Sequence, residues 1–299
     1  MKKLGKYILK IILITILVIG FYYCNNQEKP QVKQQRVINE TENLLEIYYL
    51  DVGEADSTYI HYKNTNILID AGNTADGKKI VGFLRDLGVD HFDIVFATHA
   101  HEDHIGGMQW IIYKFSAEDF YMPNHPAKWK SYNNLLSALE EKNVVKKEPE
   151  IDQELNLEDL KIEVLWVGHD QEDYNENSIV LKLIYKNKSF LFMSDAEENV
   201  ERQIRNKDIK NDVLKVGHHG SKYASTAQFL YQVNPEYAII SVGKDNEYNH
   251  PHQVVLDKLN KMKIQTYRTD EDHTIHLISD GESIKIEKID TDLNGGDLN

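Results

Sequence analysis

The chain has 299 residues, 41% hydrophobic and 27% charged, a globular balance that excludes wholesale disorder. Sixteen glycines and six prolines exclude collagen-like and low-complexity architectures. One cysteine excludes an internal disulfide framework and a four-cysteine zinc site, so any metal centre must rest on the 13 histidines and on Asp and Glu. The formal net charge of −14 argues against a broad basic face for clamping long nucleic acid, though not against a small, locally positive site.

In chain order, Lys2, Lys3 and Lys6 precede an apolar run from Tyr7 to Cys24, broken only by Lys10. Its length is close to the roughly 20 residues a membrane-spanning helix needs. Tyr22 and Tyr23 resemble an interfacial aromatic belt and lack the small side chains of a cleavage site, so residues 1–24 read as a membrane anchor or uncleaved signal. Tyr23 also stands where lipid attachment at Cys24 would want a small residue. By the positive-inside rule the remainder lies outside the cytoplasm: an extracellular domain held at the cell membrane, or secreted. Residues 25–43 are polar and read as a linker, and residues 290–299 as an acidic, flexible tail.

The domain between them, residues 44–289, alternates strands and helices. Leu45 to Leu50, Thr58 to Tyr62 and Asn66 to Ile69 read as strands, followed by a helix from Lys78 to Leu87 capped by Thr74 and Asp76. Phe92 to Ala97 is an apolar, buried-type strand. Helices are expected at Gly107 to Lys114 and Asn133 to Lys142. Strands are expected at Lys161 to Val167, Ser178 to Tyr185 and Ser189 to Met193. A charged helix, Glu197 to Asn206, precedes strands at Asp212 to Val216 and Tyr237 to Val242. A helix from Gln253 to Lys261 precedes strands at Lys263 to Tyr267, Thr274 to Ile278 and Ser283 to Ile286. Strands first, then β/α alternation, occur in outline in each half. This predicts a layered α/β protein with helices outside and two sheets within.

The strongest chemical signal is Thr98-His99-Ala100-His101-Glu102-Asp103-His104-Ile105-Gly106-Gly107, directly after the buried strand. In a loop leaving a rigid strand, His99 and His101 can point to one side, and Asp103 and His104 to a second. Neutral imidazole and carboxylate suit Zn or Mn. Gly106 and Gly107 would let the backbone turn tightly. Asp195 follows the strand SFLFM, where it is either a helix cap or a ligand. His218 and His219 follow the strand DVLKV, and the tandem leaves open which of them is a ligand.

The HxHxDH run after a strand resembles the metallo-β-lactamase-fold hydrolases, and the rest of the chain resembles a narrower branch. Leu50-Asp51-Val52-Gly53-Glu54-Ala55-Asp56-Ser57 is similar to the DVGQGDS segment of the hydrolase domain of the competence-protein ComEC family. Leu68-Ile69-Asp70-Ala71-Gly72, Ser194-Asp195-Ala196-Glu197 and Val216-Gly217-His218-His219-Gly220-Ser221-Lys222 resemble its next three motifs. Ser241-Val242-Gly243 with Tyr248, His250 and Pro251, and then Tyr267-Arg268-Thr269-Asp270, resemble its last two. The resemblance covers about Leu45 to Ile286 and does not include the multi-helix channel of the full competence proteins. It implies a four-layer αββα sandwich after one N-terminal transmembrane helix, and two divalent metal ions, Zn or Mn.

The ligands implied are His99, His101, Asp103, His104, Asp195 as a bridge, and His219. His218 is left to contact the substrate or oxyanion. Asp70 is expected to orient the metal loop, Asp103 to be essential to catalysis, and His250 to protonate a leaving group or bind phosphate, or else merely to start a helix. Many superfamily members add a histidine in a Gly-His-x-x-Gly loop. Here Tyr174-Asn175-Glu176-Asn177-Ser178 stands in that place without one, so the first metal would be weakly held; His169 is too uncertain a substitute to assign. His61, His91, His125 and His273 read as ordinary. The reaction class implied is phosphodiester hydrolysis. The first candidate substrate is DNA, with Lys210, Lys215 and Lys222 locally positive around the site. The alternatives are a cell-wall (teichoic acid) phosphodiester or a non-catalytic metal- or DNA-binding module; β-lactam hydrolysis is a poor third, and no protein partner is implied.

Overall fold

β-branched and aromatic residues recur with a period of two along the strands, and in most strands both faces are apolar, which requires cover on each side of a sheet. The computed structural model describes residues 43–169 and 173–290. The first half runs β1 (Leu45–Tyr49), β2 (Thr58–Tyr62), β3 (Thr65–Ile69), α1 (Gly77–Asp86), β4 (His91–Phe96), α2 (Glu102–Ile105), α3 (Met108–Lys114), β5 (Ser116–Tyr121), α4 (Lys130–Lys142) and β6 (Lys146–Lys147). The second runs β7 (Glu154–Leu157), β8 (Leu160–Trp166), β9 (Val180–Tyr185), β10 (Lys188–Phe192), α5 (Glu198–Ile204), β11 (Val213–Lys215), α6 (Ala227–Val233), β12 (Tyr237–Ile240), α7 (Gln253–Lys261), β13 (Gln265–Arg268), α8 (Thr269–Asp272), β14 (Thr274–Ser279) and β15 (Ile284–Ile289). The predicted membrane helix, nearly all of the linker and the tail beyond Asp290 lie outside the described residues. Among the described residues no helix is long and apolar enough to cross a membrane.

One sheet has the order β15-β14-β1-β2-β3-β4-β5-β6 and the other β13-β12-β11-β10-β9-β8-β7. In each, antiparallel pairing gives way to parallel pairing: β3 runs parallel to β4, and β10, β11 and β12 run parallel to one another. Ile47, Tyr49, Ile60, Ile67 and Phe96 of the first sheet pack against Ile162, Leu183, Phe190, Phe192 and Val213 of the second. The alternate residues face outward. Leu68 and Val95 meet Ile80, Leu84, Ile111 and Leu135 of the helices on one side. Leu191, Leu214 and Ile240 meet Val200, Leu230 and Leu259 on the other. The result is the expected four-layer αββα sandwich.

Several elements were not legible. β5 carries an exposed Glu118 and a half-exposed Asp119, and β7 is a polar edge strand, so neither offers an apolar run. α6 escaped notice although Thr226 caps it, accepting from the Phe229 amide at 3.3 Å. Asp76 occupies the N-cap position of α1 but does not cap it; its carboxylate accepts from the Asn73 amide instead. Gly106 and Gly107 are needed for a different reason than turning. Both have ordinary helical dihedrals, but a Cβ on Gly107 would lie 2.1 Å from the Ala71 carbonyl oxygen and one on Gly106 2.3 Å from the Thr74 nitrogen.

Candidate metal centre

The candidate ligands and the wall histidines leave the carboxyl ends of strands that run parallel to a neighbour. Asp70 follows β3, His99 to His104 follow β4, Asp195 follows β10, His218 and His219 follow β11, and His250 lies in the loop after β12. Strand pairing fixes where these backbones emerge. Asp70, Ser194, His218 and His219 all have positive φ, between 46° and 59°, a conformation that L-residues keep only where surrounding contacts enforce it. The His218 amide, for example, donates to the Ser194 carbonyl at 2.9 Å.

Among the described residues three groups of metal-ligating side chains form; one, Asp56, Asp70 and His104, lies behind the other two, which share a residue. His99, His101 and Asp195 are one; Asp103, His104, Asp195 and His219 are the other, with the ligand atoms of each cluster within 4.8 Å of one another. Asp195 belongs to both. Its Oδ2 faces His99 Nε2 at 3.7 Å, and its Oδ1 faces His104 Nε2 at 3.2 Å and His219 Nε2 at 3.7 Å. It is not a helix cap, because α5 starts beyond it at Glu198. Two of these buried atoms, His104 Nε2 and Asp195 Oδ1, have no hydrogen-bond partner. Paired ligands with unsatisfied buried donor atoms fit a divalent metal better than they fit an internal polar network. Asp70 lies just behind: Oδ1 accepts from the Thr98 amide at 2.8 Å and Oδ2 from the Thr98 hydroxyl at 2.7 Å and His104 Nδ1 at 2.8 Å. That bond turns His104 Nε2 toward the metal side, as expected for an orienting carboxylate. The six ligand-type residues named from the sequence are thus brought together.

A model of the metallo-beta-lactamase superfamily matches residues 50–244. The chain belongs to the metallo-beta-lactamase superfamily. It is 32% identical over 251 residues to ComE operon protein 3 of Bacillus subtilis, covering 77% of this chain and 32% of that protein. It is 27% identical over 245 residues to competence protein ComA of Neisseria gonorrhoeae, covering 77% and 31%. The chain therefore spans about a third of the length of the curated relatives it matches. Among solved structures, the metallo-beta-lactamase fold protein YhfI of Bacillus subtilis superposes with a TM-score of 0.50 at 10% identity, covering 75% of this chain and 95% of that one. The chain accordingly has the metallo-beta-lactamase fold, is related in sequence to competence proteins, and carries grouped His and Asp residues that could hold metal ions.

In this metallo-beta-lactamase site His219, not His218, joins the second cluster, and its Nδ1 lies 2.9 Å from the Ser241 carbonyl. His218 stands on the wall, with Nδ1 2.7 Å from Glu197 Oε1 and Nε2 3.7 Å from Asp195 Oδ2. His250 sits beside it, with Nδ1 2.8 Å from Glu54 Oε1; Glu54 Oε2 in turn accepts from the Gly243 amide at 2.8 Å. His250 is no mere helix-start turn, for it lines a cavity of about 370 Å³ with Glu54, His101, Asp103, Asp195, His218 and His219.

Burial opposes charge on His99, His104, Asp195 and His219, and the neighbours decide the outcome. It wins at His99, where burial and the charge of His104 hold the imidazole neutral, well below its usual range. At His219 the charge of Asp195 and the bond to Asp103 overcome burial and push the imidazole up to about 9. His104 is pushed well above its usual range mainly by Asp195 and Asp103. Asp195 is held well below the carboxylate range by His104, His218 and His219.

Lys215 departs from expectation. It is not a surface charge for substrate but is buried, with Nζ held by both oxygens of Asp56. Lys210 and Lys222 are exposed. His169 is exposed beside Glu148, away from both clusters. Asn177 is buried in the loop where the superfamily histidine is absent. Glu54, Asp56 and Glu197 lie within the motif segments, but their residue types alone signal no role. Trp129, which also lines the cavity, had no sequence signal, standing in an irregular loop before α4.

Proposed function

We propose that this metallo-beta-lactamase-fold chain hydrolyses phosphodiesters, with DNA as substrate, outside the cytoplasm. The observation that carries the reading is Asp195 shared by two ligand clusters on the floor of an open cavity whose wall carries His218 and His250. Divalent ions held there would supply a water acidified to a pKa of about 7 and neutralise charge developing on a phosphoryl oxygen.

The chain's own residues do the rest. Glu197 fixes His218 through Nδ1 at 2.7 Å, which leaves Nε2 on the cavity wall as a donor to substrate. Such a donor suits a phosphoryl oxygen. Glu54 fixes His250 through Nδ1, turning Nε2 toward the cavity, within reach of a leaving group. The competence proteins among the relatives support DNA, and the lysine-flanked apolar run at the N-terminus supports an exterior location.

The test takes the full-length chain, metal-stripped and reloaded with Zn or Mn, against bis-p-nitrophenyl phosphate and labelled single- and double-stranded DNA. Metal-dependent turnover of both, lost in Asp103→Ala, is the expected result. Turnover of the small diester alone would move the substrate to a cell-wall or small-molecule phosphodiester. No turnover with metal bound would make the chain a binding module.

A further inference from the structure

The cavity has two aromatic walls that the chemistry above does not use. Trp129 packs beside His101 of the first cluster, with ring centroids 5.7 Å apart, and against Tyr174 at 4.9 Å. Its indole N–H donates to the Ala100 carbonyl, which ties the ring to the metal loop. Tyr248 stacks on His250 at 5.6 Å and 21°, next to the second cluster, and its ring is 64% exposed. Asn246 holds that turn by accepting from the amides of Tyr248 and His250 and donating to the His250 carbonyl. Both rings line the same cavity as the metal ligands. From His250 a polar and aromatic strip continues: His252 lies 5.1 Å from His250, the Lys222 amide donates to His252 Nδ1, and the Lys222 ammonium lies 5.1 Å from the ring of the 60%-exposed Tyr223.

A mostly exposed ring in a pinned turn, lining the same cavity as the metal ligands and with a cation nearby on the surface, matches the way proteins hold unpaired bases: stacking for the base, positive charge for the backbone. A quaternary ammonium group is enclosed by aromatic faces on several sides. Tyr248, mostly open to solvent, does not enclose.

We propose that Tyr248 and Trp129 are stacking platforms for the unpaired bases flanking the scissile phosphate, with Lys222 receiving the strand past His250 and His252. The occupant is a single nucleic acid strand, and the inference rests on the phosphodiester reading of the same site.

The first readout is binding, and hydrolysis of small esters is measured beside it to separate this inference from the phosphodiester reading. The full-length chain loaded with Mn is titrated into a labelled, hydrolysis-resistant phosphorothioate tetranucleotide. A second probe is identical but abasic on both sides of the central linkage. The wild type should bind the intact strand about tenfold more tightly, the scale of one base stacked on an aromatic ring. Tyr248→Ala should bind both probes alike, and Tyr248→Phe should restore the difference. Equal binding of the two probes by the wild type, or an undiminished difference in Tyr248→Ala, would overturn the proposal. So would a Tyr248→Ala defect confined to p-nitrophenyl phosphorylcholine hydrolysis, which would mark a choline ester as occupant. Stacking without turnover of bis-p-nitrophenyl phosphate would sink the hydrolase reading and leave the platforms standing. Turnover without base discrimination would do the reverse.

Discussion

Asp56 and Lys215, 159 positions apart, form a buried ion pair in which both carboxylate oxygens accept from the ammonium, at 2.8 and 2.7 Å. Asp56 comes from the loop between β1 and β2, and Lys215 ends β11, so the pair joins the two sheets. Asp56 Oδ1 also lies 3.6 Å from His219 Nδ1, directly behind the second ligand cluster.

Removing one partner of such a pair leaves an uncompensated buried charge. Lys215→Met should lower unfolding stability by about 3–5 kcal/mol, read from a denaturant titration. A loss under about 1 kcal/mol would mean that Asp56 finds another partner or takes up a proton.

The shared position of Asp195 makes metal content a sharper test than activity. Asp195→Ala removes a ligand from both clusters and should abolish retention of both ions. His219→Ala touches only the second cluster and should leave one. Metal per chain after dialysis, measured by elemental analysis, decides; one ion retained by Asp195→Ala would contradict the bridge.

Metal uptake should release protons. In the metal-free chain His219 is raised from the ordinary value near 6.5 to about 9, and His104 is raised as well. A raised imidazole stabilises the metal-free fold below about pH 6.5, and that contribution disappears as pH climbs through about 9. A cation must displace those protons, so its affinity should strengthen steadily over the same interval. Calorimetric titration at pH 7 in buffers of different ionisation enthalpy should give different apparent heats. Identical heats would show that both imidazoles are already neutral.

Gly107→Ala tests the close approach behind the metal loop. A Cβ there has 2.1 Å to the Ala71 carbonyl, backbone that cannot yield as a side-chain tip would. A destabilisation on the order of 3 kcal/mol with weakened metal retention is expected from thermal and denaturant unfolding. A wild-type melting profile would show that the α2–α3 turn gives way freely.

The sequence by itself determined the layered α/β class, most strands and the ligand types, because period-two apolar strands and a dense HxHxDH run are local signals. It also singled out Asp70 and Asp195, since each follows a buried strand. Only the tertiary structure decided which histidine of the tandem at 218 and 219 meets Asp103, and that Lys215 is sealed against Asp56 and does not face substrate. Those depend on the order of strands across two sheets and on backbones held at positive φ. Such contacts join residues a hundred or more positions apart, and no local pattern encodes the distance between them.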